Sequence, residues 1–89
     1  MQAHEMLKET LEINAMEELA ELIQAISKVK RYGLTKELKE NLEEEVADVI
    51  LMTSLIMNKY NLSSENIDKI MVHKTNRLRK RWKENGGNL

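Results

Sequence analysis

The sequence predicts an all-α protein, with three helices in each chain and a four-helix-bundle core that forms across a homodimer. The composition is helical, since proline is absent, only three glycines occur, and Leu, Ala, Glu, Lys, Met and Ile dominate. Apolar residues also recur at three- and four-residue spacing along three separate segments. The second of these segments is apolar in nearly every direction, which a three-helix monomer cannot cover.

The first helix is predicted from about Ala3 to Tyr32, with Gly33 as a left-handed C-terminal cap. Asn14 marks either a kink or a second start, so residues 1–13 are a candidate N-terminal arm. The apolar positions that define the helix follow the helical repeat. They are Leu7, Leu11, Met16, Leu19, Ile23, Ile26 and Val29.

The second helix is predicted from an N-cap at Thr35 to about Tyr60. Its first half carries a narrow apolar stripe, whereas the apolar side chains of residues 49–57 point almost all round the helix. A helix that is apolar all round must be covered all round, and two partner helices from one chain cannot do this. We therefore expect a homodimer. The alternative, a monomer with an exposed apolar patch, is unusual for a soluble protein.

The third helix is predicted from about Ser64 to Lys83, with either Ser63 or Ser64 able to cap it. Residues 85–89 are expected to form a frayed tail. Because the connections are short, consecutive helices are expected to pack antiparallel. The 89 residues are sufficient for one domain, which we place at 1–89.

Charge and hydropathy exclude several classes of protein. The net charge of −1 gives no global field that would attract nucleic acid or a membrane, so no stable nucleic-acid partner is expected. The absence of cysteine excludes disulfides and thiolate metal sites. The longest apolar stretch is too short to span a bilayer, and His4 and Glu5 lie where a signal peptide would need an apolar run. A cytoplasmic protein is expected.

Two short acidic motifs carry the predicted chemistry. The first helix contains Glu17-Glu18-Leu-Ala-Glu21, and the second contains Glu45-Val-Ala-Asp48. Residues three apart lie on the same face of a helix, so each motif supplies one pair of carboxylates. If the two helices pack antiparallel, the two pairs face each other and place four carboxylates in a small volume.

The helical wheel separates Glu18 from its neighbour Glu17. Glu18 falls inside the apolar arc and Glu17 outside it, and Glu45 lies beside apolar residues of the second helix. Partly buried carboxylates in like-charged company are costly unless a cation pairs with them. Oxygen ligands without His or Cys suit a hard divalent ion, which we expect to be Mg²⁺, with Mn²⁺ able to substitute. The remaining acidic residues considered are interpreted as a solvated face: Glu5, Glu9, Glu12, Glu37, Glu40, Glu43 and Glu44.

The order of these motifs resembles the MazG-type, all-α nucleoside triphosphate pyrophosphohydrolases. The spacer between Glu21 and Glu45 is 23 residues, which fits the family pattern, and the resemblance extends from about residue 14 to residue 82. The segment Lys74-Thr-Asn-Arg77-Leu is similar to a basic motif of short phage-type members. The resemblance implies hydrolysis of a (deoxy)nucleoside triphosphate to the monophosphate and pyrophosphate, and a dimer or dimer of dimers. It also implies Mg²⁺ held by Glu18, Glu21, Glu45 and Asp48.

Roles for the other residues follow from this site. Glu21 and Glu18 are the predicted catalytic residues, and Glu21 is the one we expect to accept the proton of the attacking water. A triphosphate needs cations beyond the metal, and the candidates are Lys74, Arg77, Arg81 and Lys28. Trp82 is a candidate for stacking on a base, although packing at a subunit interface is the commoner role for such a residue.

Two other functions fit parts of the sequence. A helical dimer with a basic last helix could be a non-catalytic module that binds RNA or protein. Phosphoribosyl-ATP pyrophosphatase shares the acidic pattern, but Leu51-Met52-Thr53 stands where its usual Tyr-His would follow. No residue can be tied to a base edge or to the sugar, and dUTP or dCTP is suggested by analogy alone.

Overall fold

Three helices make up the described part of the chain. The computed structural model describes the backbone of residues 3–87 and the side chains of residues 10–87. The helices are α1 (Ala3–Tyr32), α2 (Lys36–Lys59) and α3 (Ser64–Glu84), and no strand occurs among these residues. The prediction of an all-α chain with three helices is confirmed. Residues 1, 2, 88 and 89, which belong to the predicted arm and tail, lie outside the described residues.

Local capping interactions set the helix ends. Gly33 follows α1 with a φ of +83°, the left-handed conformation that glycine adopts without a steric penalty. The Thr35 side chain then accepts a hydrogen bond of 3.2 Å from the Leu38 amide, and the Ser63 hydroxyl accepts one of 3.0 Å from the Asn66 amide. Each cap satisfies an amide that has no partner within its helix. α1 runs without interruption through Asn14.

α1 and α2 pack against each other as an antiparallel hairpin, joined by residues 33–35. Ala15 and Ala25 are the most buried side chains of the described residues, and their small size lets the two helix backbones approach closely. At the open end of the hairpin, Lys59 and Tyr60 both donate hydrogen bonds to the Glu12 carboxylate. Small residues therefore lie at the interface of the two helices, and this polar contact joins them at its open end.

α3 does not pack along the hairpin, so the expectation that consecutive helices would all lie antiparallel in contact was wrong for α2 and α3. Among the described residues α3 makes at most marginal contact with the other two helices, and none of its side chains is buried. The radius of gyration is 16.8 Å, against roughly 12 Å for a compact domain of this length. The short connection allows a hairpin, but α3 has too little packed apolar surface within the chain to hold one closed.

The isolated chain exposes much apolar surface. Its accessible area is 7706 Å², whereas monomeric proteins of this mass expose roughly 5,400 Å². Ile50 points to one side of α2, Leu51 and Leu55 point to another, and all three are exposed, in agreement with the predicted all-round apolar character. Within the described part of the chain, no helix combines the length and apolarity needed to cross a bilayer.

Candidate metal centre

The hairpin interface carries the acidic residues singled out in the sequence. Glu18 lies on the side of α1 that faces α2 and is half-buried, whereas Glu17 is exposed. Glu45 and Asp48, one turn apart on α2, are also half-buried, and Glu21 is exposed at the edge of the interface. The separation of Glu18 from Glu17 follows the helical wheel, because 100° per residue turns one of two neighbours toward the partner helix and the other away from it.

Three of the four predicted ligands form one tight group. Glu18, Glu21 and Glu45 each offer a carboxylate oxygen, and these three oxygens lie within 4.8 Å of one another. Asp48 lies outside this group but close to Glu18, whose titration it affects by charge and by a hydrogen bond between the two carboxyls. The hairpin therefore brings all four residues to one place, with three of them arranged more closely than the fourth.

The buried oxygens of this cluster have the properties of cation ligands. Glu18 Oε2 and Glu45 Oε2 are inaccessible to solvent and have no hydrogen-bond partner. A buried carboxylate oxygen without a donor is costly, because its hydration is lost and nothing replaces it. A divalent cation replaces that hydration directly, and an all-oxygen donor set is the one that Mg²⁺ prefers. The residues present thus fit a hard divalent ion.

The electrostatics of the cluster lead to the same interpretation. Burial raises the pKa of Glu18 above its ordinary value of 4.5, and the neighbouring charges of Glu21, Asp48 and Glu45 raise it further. Burial likewise raises the pKa of Glu45, assisted by the charge of Glu21 and a hydrogen bond with it. Their carboxylate neighbours therefore disfavour the ionised forms of Glu18 and Glu45, and a bound cation would reverse that preference.

The predicted phosphate contacts lie elsewhere. Lys74, Arg77 and Arg81 are exposed and line one shallow depression on α3, together with Leu78. Since α3 makes at most marginal contact with the hairpin, a single chain does not bring these cations into the interface that holds the carboxylates. Lys28 is exposed on α1, about 15 Å along the helix from Glu18.

Comparison with protein families connects this geometry to an activity. The family described as the MazG nucleotide pyrophosphohydrolase domain matches residues 4–83. The chain belongs to the MazG family. Searches of curated proteins and of solved structures returned no match. The MazG match covers the four carboxylates on the hairpin and the basic side of α3, so both halves of the predicted site fall within the family's domain.

Trp82 lies near the C-terminal end of α3 in this MazG domain. Its ring packs against the turn that ends α3, so that any side chain larger than hydrogen at Gly87 would run into it. The Gly87 amide also donates a 2.9 Å hydrogen bond to the Trp82 carbonyl. The indole Nε1 is buried without a hydrogen-bond partner. In this arrangement Trp82 caps the end of its own helix, and stacking on a base stays a prediction.

Glu12 is a residue whose role in this MazG domain the sequence did not reveal. It was interpreted as part of a solvated face, which is wrong: its Oε1 accepts a 2.7 Å hydrogen bond from the Tyr60 hydroxyl and forms an ion pair with Lys59. These two contacts lower the pKa of Glu12 to about 2. Its partners are 47 and 48 residues away in the sequence, so only the register of α1 on α2 could have predicted the contact.

Proposed function

We propose that the protein hydrolyses a nucleoside or deoxynucleoside triphosphate to the monophosphate and pyrophosphate, with Mg²⁺ held by Glu18, Glu21, Glu45 and Asp48. Two supports are independent of each other: the MazG family match and the group of carboxylates with buried, unpartnered oxygens. The second is the observation that carries the proposal. If these carboxylates only kept the surface of a helix hydrated, they would not lie half-buried together at a helix interface. Mn²⁺ can replace Mg²⁺, since both take oxygen ligands.

The bound metal supplies neutralisation of the charge that develops on the leaving pyrophosphate. The side chains of the chain then have separate tasks. Glu18 and Glu45, with their buried oxygens, would hold the ion between the two helices. Glu21 is the most exposed of the three grouped carboxylates, so it can reach a water molecule. As that water forms its bond to phosphorus and the bond to the bridging oxygen breaks, the Glu21 carboxylate accepts its proton.

The positive partners of the triphosphate are the exposed cations of α3 and, more remotely, Lys28. Lys74, Arg77 and Arg81 share one side of α3 and line the same depression. Arginine can bind phosphate oxygens in a bidentate manner, and lysine acts as a point charge beside them. We place the protein in the cytoplasm, where nucleotide pools are found, and assign it a housecleaning role in those pools.

A homodimer, or a dimer of dimers, is part of the same proposal. The isolated chain exposes roughly 2,300 Å² more surface than a compact monomer of its mass. Obligate homodimer interfaces bury at least about 1,000 Å² of each partner. The excess is therefore sufficient for one large interface or two smaller ones. A four-helix core across two hairpins would cover the apolar side chains that α1 and α2 expose.

One experiment separates this activity from a binding module. The purified protein is incubated with Mg²⁺ and a panel of nucleoside and deoxynucleoside triphosphates, including dUTP, dCTP and phosphoribosyl-ATP, and the products are scored for pyrophosphate and orthophosphate. We expect pyrophosphate and a nucleoside monophosphate from at least one triphosphate. Activity is lost with EDTA and restored by Mg²⁺ or Mn²⁺. Full turnover in chelator, release of orthophosphate, or no turnover of any member of the panel contradicts the proposal.

A further inference from the structure

The tip of the α1·α2 hairpin carries two large exposed side chains. The tip is defined here as residues 30–39, which cover the end of α1, the connection and the first turn of α2. Tyr32 is 65% exposed and Leu34 is 61% exposed. The backbone between them is open as well, because a Cβ added at Gly33 would have no atom of the described chain within 4 Å apart from its own neighbours. The tip therefore presents an aromatic ring and an aliphatic side chain to solvent.

The tip is also strongly positive. Its ten residues contain four cations and one carboxylate, whereas the rest of the chain contains ten cations and fourteen carboxylates. The four tip cations are Lys30, Arg31, Lys36 and Lys39. All four are exposed, and none forms an ion pair within the part of the chain whose side chains are described. The net charge of −1, which gave no reason to expect a nucleic-acid partner, thus hides a local concentration of positive charge.

Helix stability accounts for only two of the tip cations. Lys30 and Arg31 lie in the last turn of α1, where the helix dipole favours a positive charge. Lys36 and Lys39 lie in the first turn of α2, where the same dipole disfavours one. The start of α2 is already stabilised by the Thr35 cap. Lys36 and Lys39 therefore suit an external anion better than they suit their own helix.

The Tyr32 ring is held beside one of these cations. The guanidinium carbon of Arg31 lies 5.8 Å from the centroid of the ring, which is within the range of a cation–π interaction. The connection itself is fixed by two backbone hydrogen bonds, of 2.8 Å from the Gly33 amide to the Val29 carbonyl and of 3.2 Å from the Thr35 amide to the Gly33 carbonyl. An exposed ring among cations is the arrangement that binds single-stranded nucleic acid, because a base stacks on the ring while phosphates lie beside the cations.

The other two aromatic rings of the chain are not available in this way. Trp82 packs against the turn that ends α3. The Tyr60 hydroxyl donates its hydrogen bond to Glu12, whose negative charge would repel a phosphate. The cations of α3 lie beside an apolar stripe instead, which consists of Ile67, Ile70, Met71 and Leu78. Tyr32 is therefore the ring that is both exposed and accompanied by cations.

An anionic membrane would also attract the tip cations, but the tip offers little apolar surface to insert. Tyr32 and Leu34 together present less hydrocarbon than a single acyl chain, which by itself gives only marginal membrane binding. Leu38, the remaining large apolar residue of the tip, is half-buried and adds little. Stacking requires only one face of a ring, so a nucleic-acid strand fits the tip better than a bilayer does.

We propose that the hairpin tip binds single-stranded nucleic acid, with a base stacked on Tyr32 and the neighbouring phosphates held by the four tip cations. Tyr32 follows Glu21 by eleven residues, which is about 16 Å along α1. A bound strand therefore leaves the carboxylate cluster open. The binding does not rest on the proposed function. Together, the two sites would let the protein hydrolyse triphosphates while it is held on a strand.

Fluorescence anisotropy with a labelled oligodeoxythymidine of about 20 nucleotides tests the site. The oligonucleotide is titrated with wild-type protein in EDTA at low salt, so that neither metal nor hydrolysis takes part. We expect saturable binding with a Kd of about 1–100 μM, as for a contact made mainly to phosphates. The duplex with oligodeoxyadenosine is expected to bind more weakly, since its paired bases cannot stack on a side chain. No saturable binding of the single strand, or tighter binding of the duplex, overturns the proposal.

Two substitutions of Tyr32 test the stacking. Tyr32→Ala removes the ring and is expected to weaken binding of the single strand about tenfold or more, whereas Tyr32→Phe keeps the ring and the affinity. Because Tyr32 is exposed, neither change is expected to alter the helical content measured by circular dichroism. Wild-type affinity in Tyr32→Ala would show that no base stacks on this ring.

The salt dependence of binding tests the cations. Lys36→Ala combined with Lys39→Ala is expected to reduce the slope of log Kd against the logarithm of salt concentration by about 1.4, since each phosphate contact of a single strand contributes about 0.7. The matched control is Lys80→Ala combined with Lys83→Ala, which removes the same charge from exposed positions of α3 and is expected to leave the slope unchanged. An equal loss in the two double variants would mean that net charge alone attracts the strand, and the tip would not be a site.

Vesicles of equal parts phosphatidylserine and phosphatidylcholine test the membrane as the other partner. We expect no co-sedimentation of the wild-type protein at the salt concentration at which the oligonucleotide binds. Binding to vesicles without binding to the oligonucleotide would assign the tip to a membrane and overturn the proposal. These assays contain no triphosphate and no Mg²⁺, so their outcome is separate from hydrolysis. A wild-type chain that hydrolyses no triphosphate would reject the proposed function and leave the binding result standing.

Discussion

The α1·α2 hairpin and α3 depart from the usual sorting of polar and apolar side chains in opposite ways. The hairpin hides carboxylate oxygens of Glu18 and Glu45 at its interface, whereas α3 exposes Ile70, Met71 and Val72 by more than half. A buried anion is stabilised by a cation, and an exposed apolar stripe is stabilised by a protein surface. The comparison teaches that the two departures suit different partners: a cation fits the carboxylates of the hairpin, whereas a protein surface would cover the apolar side chains of α3.

The largest effect on activity is expected when a carboxylate of the hairpin is removed. Glu18→Gln, Glu45→Gln or Asp48→Asn removes a negative ligand from the proposed metal site. Since the charge stabilisation that a metal supplies amounts to several kcal/mol, pyrophosphate release under Mg²⁺ is expected to fall by about two orders of magnitude or more. Glu17→Gln is the matched control, because Glu17 is exposed and lies outside the grouped carboxylates.

Stability measurements on the same variants separate a metal site from a structural role. Neutralising one member of a crowded acidic cluster relieves repulsion, so the metal-free Tm holds or rises. The stabilisation by added Mg²⁺ shrinks at the same time, since a weaker ligand set binds the ion less tightly. Equal behaviour of Glu17→Gln and Glu18→Gln would contradict both the site and the helical-wheel argument that led to it.

The next effect concerns assembly. Ile23 on α1 and Val72 on α3 are both highly exposed in the isolated chain, by 68% and 62%. Ile23 shares the outward side of α1 with Met16, Leu19 and Ile26, whereas Val72 lies off the apolar stripe of α3. Ile23→Asp therefore places a charge in the proposed dimer core and Val72→Asp does not.

Sedimentation at micromolar concentration measures the outcome. We expect wild-type protein and Val72→Asp to sediment as a dimer or larger, and Ile23→Asp to shift toward the 10.4 kDa monomer, because burying an unpaired charge is strongly unfavourable. If the wild-type chain sediments as a clean monomer, the four-helix core across chains is wrong. If both variants stay dimeric, the core lies on another face.

A smaller effect follows from the raised pKa values of Glu18 and Glu45. At pH values between the ordinary pKa of 4.5 and the raised pKa values, the folded protein binds more protons than the unfolded chain. The metal-free protein therefore loses stability as the pH rises through this range. We expect a metal-free Tm that falls from about pH 5 toward neutrality, and a smaller slope in Glu18→Gln and Glu45→Gln than in Glu17→Gln. Added Mg²⁺ raises the Tm more at pH 7.5 than at pH 5, because the ligands must be deprotonated. A pH-independent gain from Mg²⁺ would place the ion elsewhere.

The features that could be predicted from the sequence are those set by local geometry. The caps at Gly33 and Thr35 depend on a few neighbouring residues, and the burial of Glu18 but not Glu17 depends only on 100° per residue. The acidic cluster followed once a short connection made α1 and α2 antiparallel. Each of these inferences uses one helix or one short connection, and the structure agrees with them, except that Asp48 lies outside the tightest group of carboxylates.

The features that could not be predicted depend on contacts between distant residues or between chains. The length of the connection between α2 and α3 permits a hairpin, but it says nothing about whether a stripe mixed with Lys74 and Arg77 will pack within its own chain. The Glu12 contact depends on how α1 and α2 meet at their open end, a register that the apolar spacing defines only to within a turn. The features that the sequence does not predict therefore belong to tertiary and quaternary packing.

The smallest expected effect tests the polar contact at the open end of the hairpin, where Glu12 accepts hydrogen bonds from Lys59 and Tyr60. Because the pKa of Glu12 is lowered to about 2, its contribution to stability is present in full above about pH 4.5 and is lost as pH falls through 2. Tyr60→Phe removes one exposed hydrogen bond and is expected to lower the Tm at neutral pH by about 2–5 °C. Glu12→Gln removes the ion pair as well and lowers the Tm further. Glu44→Gln changes an exposed acid on α2 and leaves the Tm unchanged.

All three variants keep the dependence of activity on Mg²⁺, because Glu12 contacts none of the grouped carboxylates. A loss of activity in Tyr60→Phe without a loss of stability would show that the contact serves the reaction and not the hairpin.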